Sequence, residues 1–251
     1  MSWEDEVAGI ERRRELASQQ GGAEAVAKQH AAGRLSVRER IAALADSESF
    51  RELGAISGHS ETDPEGRLES FTAANVVLGT ARIDGRPVVL CGDDFTIRGA
   101  AYSAAGLRKG LYADQLAIRE RLPLVRLLEG GGASIAGTSE TRGRSGYDMT
   151  APASLNLLCL EALQTVPVVC AALGPVAGFP AARLVSAHLS VMTRRTAQVL
   201  TGGPALVERA LGQKLDKDEL GGSAIHERSG VVDMVAEDEE EVWQQEEQHS
   251  D

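Results

Sequence analysis

A chain of 251 residues with 43% hydrophobic and 25% charged residues can bury a substantial core and has the balance of an ordinary globular protein. Its net charge of −11 argues against a general nucleic-acid or anionic-membrane binder. Aromatic residues at 4%, against 27 glycines, favour close backbone packing over an aromatic cage or base-stacking platform.

Cys91, Cys159 and Cys170 lie far apart in apolar runs, with no Cys-x-x-Cys pair or Cys/His cluster, which predicts buried, reduced thiols and no zinc. The start, MSWEDEVAG, lacks the basic-then-apolar order of a secretion signal. No apolar run approaches the roughly 18 residues of a membrane span. These features together predict a cytoplasmic protein.

In chain order, residues 3–31 read as helix broken at Gln20-Gly21-Gly22, with Arg12-Arg13-Arg14 on a solvated face. Gly33-Arg34-Leu35 stops it. Ser36-Val37-Arg38-Glu39 has the form of a capping box and starts a helix over 37–45. A short strand is expected at 50–53 and a polar loop at 57–70. Residues 73–83 and 86–91 are strand-like runs flanking Asp84-Gly85, a strong hairpin signal. A turn-rich stretch, Gly92–Gly99, precedes a helix over 101–121.

Residues 122–129 form an apolar run of the kind buried in parallel sheets. It breaks into Gly130-Gly131-Gly132-Ala133-Ser134. A loop over 137–150 and a helix over 153–164 follow. The feature then recurs: residues 166–173 read as a second buried strand, running into the loop Gly174-Pro175-Val176-Ala177-Gly178-Phe179. A glycine loop at the carboxyl end of a parallel strand is where open α/β sheets bind ligands. Two such units suggest a site made of backbone amides. Beyond them, a helix is expected over 179–187, strands over 189–193 and 197–201, helices over 204–212 and 216–220, a strand or loop over 231–235, and an acidic helix over 237–248. His30, His188 and His226 are scattered and read as structural. Arg194-Arg195 reads as a solvated turn.

Six stretches stand in order along the chain: Lys28-Gln29-His30-Ala31-Ala32-Gly33-Arg34-Leu35-Ser36-Val37-Arg38-Glu39-Arg40-Ile41, Gly92-Asp93-Asp94-Phe95-Thr96, Gly131-Gly132-Ala133, Gly174-Pro175-Val176-Ala177-Gly178, Leu220-Gly221-Gly222 with Ile225-His226, and Asp238-Glu239-Glu240-Glu241. Through them the chain resembles the N-terminal half of the carboxyltransferase (β) subunit of biotin-dependent acyl-CoA carboxylases, the propionyl-CoA carboxylase type. The resemblance implies a crotonase-like (ClpP/crotonase) α/β fold, a β–β–α superhelix over 47–251, behind an N-terminal helical segment over 1–46.

The resemblance also implies an oxyanion hole made by the amides at Gly132-Ala133 and Gly178-Phe179, with Gly131 beside it and Arg98, Arg108 and Lys109 meeting the phosphates of CoA. The implied reaction moves a carboxyl group from N-carboxybiotin, on a carrier protein, to the α-carbon of a short acyl-CoA such as propionyl-CoA or acetyl-CoA. The implied partners are a biotin carboxyl carrier or biotin carboxylase subunit and a biotin-binding C-terminal carboxyltransferase half, in an oligomer. Neither nucleic acid, membrane nor metal is expected. Two features depart from the family pattern: Ser134 stands where an arginine is frequent, and Phe179 where a second glycine is frequent. The alternatives are a stand-alone crotonase-like hydratase or hydrolase, for which Glu129, Glu140 and Glu161 are the acid/base candidates, and a non-catalytic acyl-CoA-binding or assembly subunit or truncated remnant.

Overall fold

The computed structural model describes residues 3–101, 103–132 and 157–248, with side chains as far as Trp243. The N-terminal helices are α1 (Trp3–Ser18), α2 (Ala23–Ala31) and α3 (Val37–Leu44). The capping box that starts α3 is formed: Ser36 Oγ accepts the Glu39 N–H at 3.4 Å, and Glu39 Oε2 accepts the Ser36 N–H at 2.7 Å. Two orphan amides are thereby satisfied at once.

A short strand β1 (Arg51–Glu52) is followed by β2 (Gly58–Thr62) and β3 (Leu68–Ala73), which pair antiparallel as a separate hairpin. This replaces the loop expected over 57–70. The hairpin has no apolar alternation because most of its residues face solvent, so periodicity could not reveal it. Strands β4 (Val76–Ile83) and β5 (Arg86–Asp93) then form the expected hairpin, with Asp84 and Gly85 both at positive φ, 49° and 75°, as a two-residue turn of this hand requires.

Helix α4 (Ala104–Glu120), strand β6 (Leu124–Gly130), helix α5 (Leu158–Thr165), strand β7 (Val168–Ala177), helix α6 (Phe179–Val185) and strand β8 (Leu189–Thr193) follow. They lead to β9 (Gln198–Leu200), helices α7 (Pro204–Leu211), α8 (Lys217–Gly221) and α9 (Ser223–Ser229), strand β10 (Met234–Ala236) and helix α10 (Glu239–Gln248). The main sheet has the order β1-β4-β5-β6-β7-β8-β10, with β9 pairing the far end of β7. From β5 to β10 every pairing is parallel. Two expectations are corrected. Helix α9 follows Gly222 where no element was expected. Strand β7 continues through Gly174 and Pro175 to Ala177, because it changes partner there: Val169–Ala172 pair with β8, and Pro175–Ala177 with β9.

Alternation along the strands sends side chains to two faces. On one, Val76, Leu78, Val89, Leu124, Leu128 and Val168 pack with Ala113, Leu116 and Ala117 of α4 and Leu184 of α6. On the other, Val77, Leu90, Val125, Leu127 and Leu173 pack with Val37, Ile41 and Leu44 of α3 and Val242 and Trp243 of α10. Among the described residues no helix is long and apolar enough to cross a membrane.

Candidate active site

The ends of β6 and β7 point the same way, so the two glycine-bearing turns meet. Gly132 has φ +68°, and a Cβ built on it would lie 2.9 Å from the Ala177 carbonyl oxygen and 3.8 Å from the Gly178 Cα. Only glycine tolerates both the dihedral and the approach. Among the described residues the Gly132 and Phe179 amides donate no hydrogen bond. Gly178, expected as a donor, is not one: its N–H is spent on the Leu200 carbonyl at 3.1 Å, where β9 extends its pairing with β7 past Ala177. Ala133 lies outside the described residues, as do Ser134 and Glu140. Gly131 has open space where its side chain would be.

The expected phosphate ligands separate. Arg98 and Arg108 are exposed and form no ion pair among the described residues. Lys109 does not join them. It is 7% exposed, its Nζ lies 3.9 Å from Glu52, and burial depresses its pKa although Glu52 opposes this. Helical geometry turns Lys109 about 100° away from Arg108, inward over the sheet.

Strand β6 carries two charges that its apolar run conceals. Arg126 and Glu129 are three residues apart and so lie on opposite faces. Glu129, 0% exposed, faces α3. It accepts from Arg40 Nη1 at 2.5 Å and Gln29 Nε2 at 2.6 Å and lies 3.2 Å from Arg34 Nη1. Arg40 reaches on to Glu239 with two further bonds of 2.7 and 2.9 Å. Gly174 makes room for this carboxylate: a Cβ there would stand 2.5 Å from Glu129 Oε1. Glu129 thus spends Oε2 on Arg40 and Gln29, contacts that join β6 to α2 and α3. Glu161 is exposed on α5.

Arg126 faces α4. Its Nη2 donates to Asp114 at 2.6 Å and to the Gly110 carbonyl at 3.1 Å, while Nη1 meets only the Cys91 sulfur, at 3.7 Å. Asp114 also accepts from Arg183 Nη2 at 2.8 Å, and the Arg183 guanidinium lies 4.8 Å from the Phe179 ring centre. Arg126, Arg183, Phe179, Cys91 and Asp93 line one cavity under the Gly178–Phe179 turn. Burial raises the Asp93 carboxyl to about 6, pushes the Cys91 thiol up, and raises Cys170 to about 12, so both thiols are neutral at physiological pH. Sequence reasoning passed over Arg126, Asp114, Arg183 and Arg40. The available signal was an arginine in the middle of an otherwise apolar strand, since a buried charge demands partners.

His30, His188 and His226 make structural contacts: His30 bonds Glu39 at 2.8 Å, His188 Nδ1 accepts the Val168 N–H at 3.0 Å, and His226 Nε2 lies 3.0 Å from the Val199 carbonyl. Arg194 is held by Glu227 and Glu237. Cys91, Cys159 and Cys170 are unbridged.

Comparison with known proteins agrees with this architecture. Residues 28–248 match the family model for the carboxyl transferase domain. The chain is 30% identical to the methylmalonyl-CoA decarboxylase subunit alpha of Veillonella parvula over 222 residues, covering 88% of this chain and 42% of that one. It is 29% identical to the biotin-dependent acetyl-/propionyl-coenzyme A carboxylase beta5 subunit of Mycobacterium tuberculosis over 238 residues, 94% of this chain and 42% of that one. The transcarboxylase 12S structure with methylmalonyl-coenzyme A bound superposes with a TM-score of 0.80 at 27% identity, over 99% of this chain and 47% of that one. The chain thus spans a little under half the length of these relatives. With the parallel sheet, the paired glycine turns and a match over most of its length, the chain belongs to the carboxyl transferase domain family and has its crotonase-like fold.

Proposed function

We propose that this chain is the acyl-CoA-binding half of a biotin-dependent carboxyltransferase, acting on the α-carbon of a short acyl-CoA such as propionyl-CoA or acetyl-CoA. One observation carries this reading: the turns at Gly132 and at Gly178-Phe179 are in contact, and each presents an amide with no acceptor among the described residues. Removing a proton from the α-carbon of a thioester places negative charge on the carbonyl oxygen. Two preorganised amides aimed at that oxygen stabilise it, each by about 3 kcal/mol. The Phe179 and Gly132 amides are the pair at hand, with Ala133 next in the chain.

N-carboxybiotin, as co-substrate on a carrier protein, supplies the carboxyl group and accepts the proton. The described residues fit the thioester partner: they offer backbone donors and a narrow cavity beside them. Arg98 and Arg108, exposed and without an ion pair among the described residues, are the cations for the CoA phosphates. Biotin carrier and C-terminal carboxyltransferase half are the partners, in a cytoplasmic oligomer. Supporting an assembly face, α7 buries no residue, and its Leu206 and Leu211 are 51% and 68% exposed.

The test is calorimetry of the chain with propionyl-CoA at two salt concentrations, then a carboxylation assay with and without a C-terminal half. Expected are binding that weakens with salt as phosphate contacts are screened, and turnover only with the second half present. No heat at millimolar ligand, or robust turnover by the chain alone, contradicts the reading.

A further inference from the structure

We infer that Asp93 is an acid–base residue of this site and gives the chain a second activity: exchange of the α-proton of a bound acyl thioester with water, needing neither biotin nor a C-terminal half. The inference rests on the thioester reading of the Gly132 and Phe179 amides and adds a catalytic residue to that site. The Asp93 carboxylate takes the proton from the α-carbon, directly or through one water. The C–H electron pair forms a double bond to the carbonyl carbon, and the C=O pair moves onto oxygen, where the two amides hold the charge. The carboxyl then exchanges its proton with solvent and returns one to the α-carbon. Nothing is oxidised and the thioester is regenerated. In carboxyl transfer the proton goes to biotin; in its absence Asp93 closes the cycle.

Position is the first argument. Asp93 ends β5, Gly130 ends β6 and Ala177 ends β7. The three strands are parallel neighbours, so their carboxyl ends share the edge of the sheet where such folds hold ligands. Asp93 Oδ2 accepts the Glu129 N–H at 3.3 Å, which ties the carboxyl to the residue before the first glycine turn. Asp93 and Phe179 line the same cavity of about 50 Å³, room for a few water-sized groups.

Availability is the second argument. Asp93 is half-buried, so its carboxyl lines the cavity and keeps contact with water. Its Oδ1 forms no hydrogen bond among the described residues. Arg126 and Arg183 line the same cavity, yet each gives its ion pair to Asp114 on α4. Burial keeps the Cys91 thiol neutral. Asp93 is therefore the one carboxyl among the described residues lining this cavity, and no ion pair claims it. Burial raises its pKa to about 6, helped by the Glu129 charge and opposed by the Glu129 amide, Arg126 and Arg183. A base of that strength is matched to work near neutral pH.

The test uses the full chain with propionyl-CoA in buffered deuterium oxide and follows the α-proton NMR signal against a protein-free control. Without biotin, the signal should decay faster than in the control, with a kcat/KM that rises with pH through about 6. Asp93→Asn should slow the decay by about a hundredfold or more while calorimetry shows propionyl-CoA still bound. Urea unfolding checks that the variant is folded. A wild type that binds propionyl-CoA without exchange overturns this inference and leaves the thioester reading standing. Failure to bind overturns both. Exchange undiminished in the Asp93→Asn variant, loss of binding together with exchange in that variant, or a rate independent of pH overturns the catalytic assignment.

Discussion

The two faces of strand β6 treat buried charge in opposite ways. Toward α3, Glu129 and Glu239 are matched by Arg34 and Arg40, two against two. Toward α4, Arg126 and Arg183 have only Asp114 as direct partner. The first cluster is balanced in charge, though Arg34 Nε and Glu129 Oε1 keep no hydrogen-bond partner among the described residues, and it ties together α2, α3, β6, β7 and α10, segments up to 210 positions apart in sequence. It is a fastener that holds the end of β6, and with it the glycine turn, in place. The second cluster has a cavity beside it, with the Asp93 carboxyl on the same wall but in no direct ion pair with either arginine. A buried charge that loses its partner costs stability, so the two clusters should respond differently to the loss of one arginine.

Breaking the first cluster should have the largest effect. Arg40→Met leaves Glu129 and Glu239 without their shared cation, and about 3–5 kcal/mol of stability should be lost, read by urea unfolding. A loss under 1 kcal/mol would remove the distinction between the faces.

The next effect is a gain on the α4 face. Asp93 is raised from 3.8 to about 6, chiefly by burial. Its folded pKa lies above its unfolded one, so its contribution to stability is fully present below about pH 4 and is lost as pH rises through 6. Asp93→Asn removes that loss. The variant should exceed the wild type by on the order of 2–3 kcal/mol at pH 7 and match it near pH 4. Parallel stability curves for the two proteins across that range would contradict the assignment.

The smallest effect should be Arg183→Met. It removes one bond to Asp114 and the contact with Phe179 while Asp114 keeps Arg126, so a loss of only about 1 kcal/mol is expected. A cost equal to that of Arg40→Met would mean that the two faces depend on their arginines alike.

Much of this frame was legible in the residues. Asp84-Gly85 marked a hairpin because its turn demands positive φ twice, and Ser36 with Glu39 marked a helix start because each caps the other. The two glycine-bearing strand ends marked the turns that meet at Gly132 and Gly178. What escaped depends on tertiary partners. Residues 57–70 concealed a hairpin because its strands are solvated and carry no alternation. Pro175 suggested a strand end, yet β7 survives it by exchanging β8 for β9. Gly178 was expected to offer its amide, but β9 claims that amide from twenty-two residues downstream. Arg126 and Glu129 were visible in the run 122–129, but which face each took, and whether partners awaited them, was decided by α3, α4 and α6.

The central claim is that the Phe179 amide, and not that of Gly178, meets the substrate oxygen. The direct measurement is the backbone amide NMR spectrum of the chain, selectively labelled with nitrogen-15 at phenylalanine and glycine and titrated with propionyl-CoA, with free CoA as control. The account predicts a saturable downfield shift of the Phe179 and Gly132 signals with the thioester alone, while Gly178, bonded to Leu200, stays within the spread of remote glycines. Shifts identical with CoA and with propionyl-CoA, or a response at Gly178 and none at Phe179, would contradict it.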